Sequence, residues 1–329
     1  MSVAGFVVVA FMLTVYVLLD GYDLGVAAIV PLIARNDRER AAVMAGIGPF
    51  WNGNEVWLIA AAAALFALFP WAYAASFSGF YLPFVIALWL LMFRGIAMEL
   101  RGHFDSELWH QFWDAAFFAS SALLIFVLGI ALGNLLRGVP LDREGYFRGT
   151  FSFLLNPYSL IVGAFSVATL AIHGAVFAAM RIDGPPGARA IGVVKRGWWL
   201  VLALYLGVSA LTFAIHAPSR IWLAALPPLS LIALFATAWN ASAGNTVRAF
   251  AMSSCFIGTL LLASAGTLFP YLLPAFPAGT GRGGISIFDA APSAVALACA
   301  LIVNVVGIVV VGIYSSIVWR AMGGKVRVE

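Results

Sequence analysis

The sequence predicts an all-α membrane protein that crosses the bilayer with nine helices. Hydrophobic residues make up 63% of the 329 residues, and charged residues make up only 10%. The mean hydropathy is +1.01, and apolar runs of about 18 or more residues, long enough to cross a bilayer core, recur along the chain. The net charge of +4 comes from residues in loops, which indicates membrane topology rather than nucleic-acid binding.

Hydropathy places the nine predicted helices in chain order. The first apolar stretch follows no basic segment and is too long for the apolar core of a signal peptide, so we expect it to stay as the first helix. Very short loops join the sixth, seventh and eighth helices, which should therefore be antiparallel neighbours. The predicted spans are residues 4–34, 51–70, 76–100, 112–136, 156–180, 197–216, 221–239, 249–272 and 292–319.

The predicted helices form one integral membrane domain, residues 1–329, with two similar halves. Asp20-Gly21 and His173-Gly174 each precede an apolar turn and then an arginine, which hints at an internal repeat. This pattern is compatible with two four-helix bundles and one extra helix. The predicted first half is 1–136, the second half is 156–272, and the ninth helix is 292–319.

The distribution of lysines and arginines predicts the orientation. These residues are concentrated in the loops after the first, third, fifth and seventh spans and in the C-terminal tail. Loops rich in positive charge stay in the cytoplasm, so the N-terminus should lie outside and the C-terminus inside. The outer loops 137–155 and 273–291 are rich in Gly, Pro and aromatic residues, and we expect them to cap the bundle.

Two acidic residues interrupt the first predicted helix. Asp20 and Asp23 are three residues apart and share one helical face. A carboxylate inside hydrocarbon is costly unless it faces a partner or water, so such residues usually mark function. Arg94 in the third span is predicted at a similar depth, and a buried Asp23–Arg94 pair would offset the desolvation of both groups. A purely structural ion pair is the alternative interpretation.

A second polar cluster, residues 51–57, opens the second span. Asn52 and Glu55 have the spacing of a capping box at a helix N-terminus. The same polarity at the cytoplasmic mouth of a helix would suit proton entry, and the two roles are compatible. Trp51 and Trp57 flank the cluster, as tryptophans that anchor a helix at the membrane interface do.

The remaining polar residues have simpler interpretations. Glu99 is predicted near the interface, where a solvated carboxylate is expected, and Asp114 should complement the dipole at the start of the fourth span. His173 is predicted to be a hydrogen-bonded packing residue rather than a haem ligand, because no second ligand lies at its depth. Cys255 and Cys299 should be small buried residues.

Motifs for catalysis and metal binding are missing from the sequence. It contains no phosphate-binding loop, no dinucleotide-binding glycine motif and no metalloprotease motif, and its Cys and His residues lack metal-site spacing. We therefore expect no catalytic residue and no metal site in this chain, and no redox chemistry by this chain alone.

The polar clusters together resemble subunit II of the bacterial cytochrome bd-type quinol oxidases. Residues 20–25, DGYDLG, are similar to the first-helix motif of that family, and residues 51–83 resemble its longest and most specific block. The resemblance runs in order along nearly the whole chain. Further matches are Phe93-Arg94-Gly95, Gly133-Asn134-Leu135-Leu136, Gly138-Val139-Pro140, Leu155-Asn156-Pro157, His173-Gly174-Ala175 and Phe269-Pro270.

This resemblance implies a haem-free subunit of a respiratory complex in the bacterial cytoplasmic membrane. Its partner, subunit I, would carry two b-type haems and one d-type haem, oxidise quinol and reduce dioxygen to water. A small single-helix subunit and a structural quinone are further expectations. This chain would stabilise subunit I and shape routes for protons and dioxygen.

The resemblance also gives functions to the polar residues. Some family members carry Asp where this chain has Asn52, so Glu55 is expected to supply the acid of the proton path here. Glu99 and Asp114 are further proton-path candidates, and Trp51 and Trp57 are candidates for dioxygen access or the subunit interface.

Two other functions are compatible with the residues alone. A secondary transporter could use Asp23, Arg94 and Glu55 as a midplane ion site, with Gly21 and Gly25 breaking the helix. A purely structural membrane scaffold is the third possibility. Copurification with a haem-bearing partner would favour the oxidase, and a substrate-binding homo-oligomer would favour the transporter.

Overall fold

The computed structural model describes residues 1–216, 225–277 and 283–327. Within these ranges the chain is almost entirely helical. The elements are α1 (Ser2–Ile33), α2 (Asp37–Ile47), α3 (Trp51–Leu68), α4 (Pro70–Gly79), α5 (Tyr81–Leu100), a 3-10 turn (Arg101–His103), α6 (Glu107–Arg137), α7 (Phe151–Leu154), α8 (Pro157–Arg181), α9 (Pro185–Ile215), α10 (Leu226–Ser242), α11 (Thr246–Leu268), β1 (Tyr271–Pro274), β2 (Gly284–Ser286) and α12 (Ala294–Met322).

Seven helices in the described part of the chain are long and apolar enough to cross a membrane, which makes this an integral membrane protein. They are α1, α5 with the 3-10 turn, α6, α8, α9, α11 and α12. The two other predicted spans correspond to α3, which opens with the polar residues 51–55, and to α10, which has 17 described residues. The crossing of the membrane by α3 and α10 stays a prediction.

Several predicted boundaries differ from the structure. The predicted span 76–100 contains a break at Phe80, which separates α4 from α5. Helix α9 begins at Pro185, twelve residues before the predicted start at 197, because a charged first third hides it from hydropathy while proline favours the first helical position. The predicted span 221–239 begins among residues 217–224, outside the described ranges.

Helices α1 and α8 lie at the centre of the molecule. Helix α1 packs against α3, α6 and α8, and α8 packs in turn against α6, α9 and α11. Their backbones touch where they cross, since a Cβ atom on Gly25 would lie 1.9 Å from the carbonyl oxygen of Leu170. A Cβ atom on Gly174 would lie 2.2 Å from the carbonyl carbon of Gly25. Only glycine fits on either side of this crossing.

The last helix is tied to the end of α8. Buried Arg181 donates hydrogen bonds from its guanidinium to the backbone carbonyls of Met322, at 2.8 Å, and Gly324. Met322 is the last residue of α12, so its carbonyl has no partner inside the helix, and Gly324 lies just beyond the helix end. Lys325 Nζ lies 2.7 Å from the Asp183 carboxylate. The C-terminal segment therefore fixes the position of α12 against α8.

The loops predicted to cap the bundle pack over one end of it. Strands β1 and β2 pair antiparallel, and Val139 forms a parallel bridge with Ala275. The Arg137 guanidinium lies between the rings of Phe153, at 4.9 Å, and Phe276, at 4.2 Å. Part of the second predicted cap, residues 278–282, lies outside the described residues.

Candidate functional site

Three helices bring charged side chains together in the interior. The Arg94 guanidinium on α5 lies 2.7 Å from a carboxylate oxygen of Asp20 on α1 and 3.3 Å from one of Glu55 on α3. The side chains of Asp20 and Arg94 have no exposed surface, whereas the Glu55 side chain is 21% exposed. We call Asp20, Asp23, Glu55 and Arg94 the charge cluster. It contains three acids and one base.

The prediction that Arg94 pairs with Asp23 was wrong. Arg94 pairs with Asp20, one turn earlier on α1, and Asp23 instead accepts a hydrogen bond of 2.7 Å from the side-chain amide of Asn54. The same amide donates to the Tyr22 hydroxyl at 2.8 Å. Asp20 and Asp23 share a helical face, so a count of residues from the nearest loop could not decide which of them meets the arginine.

The start of α3 differs from the predicted capping box. The helix begins at Trp51, its N-cap is Phe50, and no side chain caps it. Asn52 therefore lies inside the first turn and is exposed. The Glu55 carboxylate, which would have closed the capping box, accepts a hydrogen bond from Arg94. Glu55 therefore binds the buried guanidinium of Arg94 rather than capping the helix, and it belongs to the charge cluster.

The two tryptophans of the 51–57 cluster have different environments. Trp51 is half-buried, and its ring lies 6.0 Å from the Arg94 guanidinium. Trp57 is buried, and its ring packs edge-on against Phe11 of α1. Interfacial anchoring is therefore wrong for Trp57, because α3 turns this residue toward α1 rather than toward the lipid headgroups.

Glu99 and Asp114 lie apart from the charge cluster. Glu99 is exposed, as expected. Asp114 pairs with Arg101 at 2.6 Å and with Arg40 at 3.5 Å. Since α6 begins at Glu107, Asp114 lies two turns inside the helix and does not complement the dipole at its start. Asp114 is instead the centre of an ion-pair network that joins α2, the 3-10 turn and α6.

His173 is a buried packing residue, as predicted. Its ring stacks on Phe250 with centroids 5.0 Å apart. The Nε2 atom lies 3.0 Å from the Leu18 carbonyl, which can only accept, so this nitrogen carries the proton. The Nδ1 atom lies 2.6 Å from the Ser253 hydroxyl and accepts from it. Both ring nitrogens are therefore occupied, and this histidine does not offer a free ligand for haem iron.

The cysteines were predicted to be buried, and the structure contradicts this. Cys255 and Cys299 are free and exposed on their helices. On a membrane protein an apolar exterior suits a thiol as well as a core does. Within residues 1–216, 225–277 and 283–327, no three His, Cys, Asp or Glu side chains form a group that could hold a metal ion.

The sequence interpretation missed two members of the site. Asn54 lies in the polar cluster 51–57, and its role as the hydrogen-bond donor to Asp23 depends on the packing of α3 on α1. Tyr16 gave a weaker signal: it lies four residues before Asp20 and so shares its face of α1. Both residues are buried.

Comparison with known proteins places the chain in a family. Residues 1–322 match the family described as cytochrome bd terminal oxidase subunit II. The chain is 29% identical to the cytochrome bd-I ubiquinol oxidase subunit 2 of Escherichia coli (strain K12), over 98% of this chain and 94% of that protein. It is 37% identical to the cytochrome bd ubiquinol oxidase subunit 2 of Bacillus subtilis (strain 168), over 63% of this chain and 61% of that protein.

The fold agrees with this assignment. A chain in the structure of bd oxidase from Geobacillus thermodenitrificans superimposes with a TM-score of 0.80 and 18% sequence identity, covering 98% of both chains. A relative from Haemophilus influenzae, named probable cytochrome oxidase subunit 2, is 30% identical over 97% of this chain and 93% of its own length. These relatives give no support to the transporter alternative. The chain belongs to the cytochrome bd terminal oxidase subunit II family and is a subunit of a bd-type quinol oxidase.

Proposed function

We propose that this chain is the haem-free subunit of its oxidase and that it conducts protons toward the partner through the charge cluster. The partner, subunit I, would hold two b-type haems and one d-type haem and carry out the reduction of dioxygen to water by quinol. The absence of a free ring nitrogen on His173 supports the first part of the proposal. His173 does not fit a haem ligand, and no step of the haem chemistry is assigned to this chain.

The setting of the proposal is the bacterial cytoplasmic membrane, with the N-terminus outside and the C-terminus in the cytoplasm. The positive loop residues support this orientation. We further propose nine crossings, in which α1, α3, α5 and α6 form one bundle, α8 to α11 form the second, and α12 is the extra helix. The pairing of α5 with α6, α10 with α11 and α8 with α9 supports this division. A small single-helix subunit and a structural quinone complete the proposed complex.

The charge balance of the cluster supports a role with protons. The cluster contains three carboxyl groups and one guanidinium, so it is electrically neutral only when two of the acids carry protons. Uncompensated charge is expensive in a membrane interior. The cluster is therefore a store of protons inside the bundle.

The partial exposure of Glu55 supports the proposed entry of protons through this residue, and this single observation carries the proposal. Asp20, Asp23 and Arg94 are fully buried, whereas Glu55 is 21% exposed and also contacts Arg94. Glu55 is thus the link between the surface of this chain and its buried acids. Asn52 is exposed one turn before Glu55, and in this proposal the entrance of the proton path lies beside it.

The other candidates have weaker support. Asp114 is held between two arginines in a separate network, and Glu99 is exposed. We therefore assign neither of them to the path. Trp51 covers Arg94 and lies beside the proposed entrance. Trp57 is buried within this chain, so we do not place it at the subunit interface, and a dioxygen route along it stays a prediction.

The experiment is quinol oxidase turnover of the assembled complex carrying Glu55→Gln. Glutamine keeps the size of the side chain and an oxygen for Arg94, and it cannot take up and release a proton, so haem content should stay normal while turnover falls about tenfold to a hundredfold. Glu107→Gln, an exposed substitution of the same kind at the start of α6, is the matched control. Adding Asn52→Asp to Glu55→Gln should restore part of the turnover. Normal turnover of Glu55→Gln with full haem would refute the path.

A further inference from the structure

Unsatisfied polar atoms are concentrated around the charge cluster. In the described part of the chain, buried side-chain atoms without a hydrogen-bond partner include both carboxylate oxygens of Asp20, the Tyr16 hydroxyl and the Trp57 indole nitrogen. The contact between Asp20 and Arg94 is an ion pair that leaves acceptor capacity on both oxygens. Buried polar groups in proteins are almost always hydrogen-bonded.

Tyr16 is placed to serve Asp20. The two residues are four positions apart on α1, which puts their Cβ atoms about 6 Å apart on one face of the helix. Tyr16 is 3% exposed and Asp20 is fully buried, so both side chains point into the same interior rather than toward lipid. The Tyr16 hydroxyl and both Asp20 oxygens have no hydrogen-bond partner, so a donor and an acceptor that both need a partner lie one turn apart on α1.

We propose that Tyr16 is a positioning residue of the proton path. Its hydroxyl donates a hydrogen bond to Asp20 and holds that carboxyl group beside Arg94. This inference rests on the proposed proton path and adds a residue to it. In the step that Tyr16 supports, a proton leaves the Glu55 carboxyl group and binds the Asp20 carboxylate. Glu55 is left as a carboxylate, ready to take the next proton from the entrance. The phenol keeps its own proton throughout.

Chemistry favours a phenol at this place. A hydroxyl both donates and accepts, so the same group can donate to the Asp20 carboxylate before the step and remain a partner for the carboxylic acid after it. The indole N–H of Trp57 only donates, and it lies on α3 in the same apolar core as Tyr16. Trp57 is therefore the competing donor for Asp20, and the experiment distinguishes the two.

The test is Tyr16→Phe in the assembled complex, which removes the hydroxyl and keeps the ring. Tyr205→Phe is the matched control, because the hydroxyl of this buried tyrosine donates to the Pro227 carbonyl in the other half of the molecule. Turnover of Tyr16→Phe should fall roughly threefold to tenfold, the worth of one hydrogen bond. Infrared difference spectra should show a shifted carboxylic acid band, which Asp20→Asn abolishes, and Tyr205→Phe should change neither property.

Wild-type turnover with an unshifted band in Tyr16→Phe would overturn the inference, and a shift in Trp57→Phe instead would assign the donor to tryptophan. If Tyr16→Phe does not assemble, fluorotyrosine at position 16 keeps the hydroxyl and strengthens it as a donor, and an unshifted band there would equally overturn it. Slow turnover of Glu55→Gln together with normal Tyr16→Phe would leave the proposed path intact. Normal turnover of Glu55→Gln together with slow turnover of Tyr16→Phe would instead show that protons do not enter through Glu55.

Discussion

The Asp20–Arg94 ion pair gives a quantitative test of the charge cluster. Both side chains are fully buried, and their charged atoms lie 2.7 Å apart. Arg94→Met removes the only base and leaves the acids uncompensated, so we expect a loss of about 3–5 kcal/mol in stability. Asp20→Asn should cost less, about 1–3 kcal/mol, because Glu55 still faces Arg94 at 3.3 Å.

The double variant decides whether the two residues interact. Asp20→Asn combined with Arg94→Met should lose less than the sum of the single losses, by about 1–3 kcal/mol. The assay is a denaturant titration of the purified complex in mixed micelles, followed by the haem absorbance of the copurified partner. The control is the same cycle with Asp23→Asn, which should show weaker coupling, since Asp23 bonds to Asn54. Additive losses for Asp20, or stronger coupling for Asp23, would refute this geometry.

Two further predictions concern the frame around the site. Gly174→Ala should prevent assembly, because its Cβ atom would lie 2.2 Å from the backbone of α1, whereas Gly207→Ala, which meets only open space, should assemble normally; copurified haem per protein measures both. The hydrogen bond from Arg189 lowers the pKa of Glu39 below its ordinary 4.5, so this pair stabilises the fold at neutral pH and is lost as the pH falls below that value. Glu39→Gln should remove this part of the acid sensitivity, which thermal melts of both proteins between pH 7 and about 3 measure. An equal fall in melting temperature for wild type and Glu39→Gln over this range would contradict the prediction.

The sequence predicted the membrane helices because each apolar residue adds to the hydropathy of its run, wherever the side chain points. Long apolar runs locate α1, α6, α8, α11 and α12, and the predicted ends of these helices lie within one to two turns of the observed ends. Helix α9 was predicted twelve residues short because the charges in its first turns lower the hydropathy there; one of them, Arg189, pairs with Glu39 of α2. Helix α2 itself was not predicted, since it is too polar for a span and its N-cap, Asn36, gives only a local signal.

The composition of the site was predictable and its pairing was not. Asp20, Asp23, Glu55 and Arg94 are conspicuous because ionisable residues are rare within apolar runs. The choice between Asp20 and Asp23 depends on the relative depth of α1 and α5, which tertiary packing sets. The same holds for Glu55, whose spacing from Asn52 satisfies a local motif that the structure does not use.

Proton uptake by the complex in vesicles tests the central claim most directly. During quinol oxidation, protons for the reduction of dioxygen should enter from the cytoplasmic face through Glu55. With Glu55→Gln in a complex that contains its full haem, the account predicts that uptake from that face slows together with turnover, while Glu107→Gln behaves as wild type. Uptake at the wild-type rate in a fully assembled Glu55→Gln complex would contradict the account and would leave Glu55 as a structural partner of Arg94.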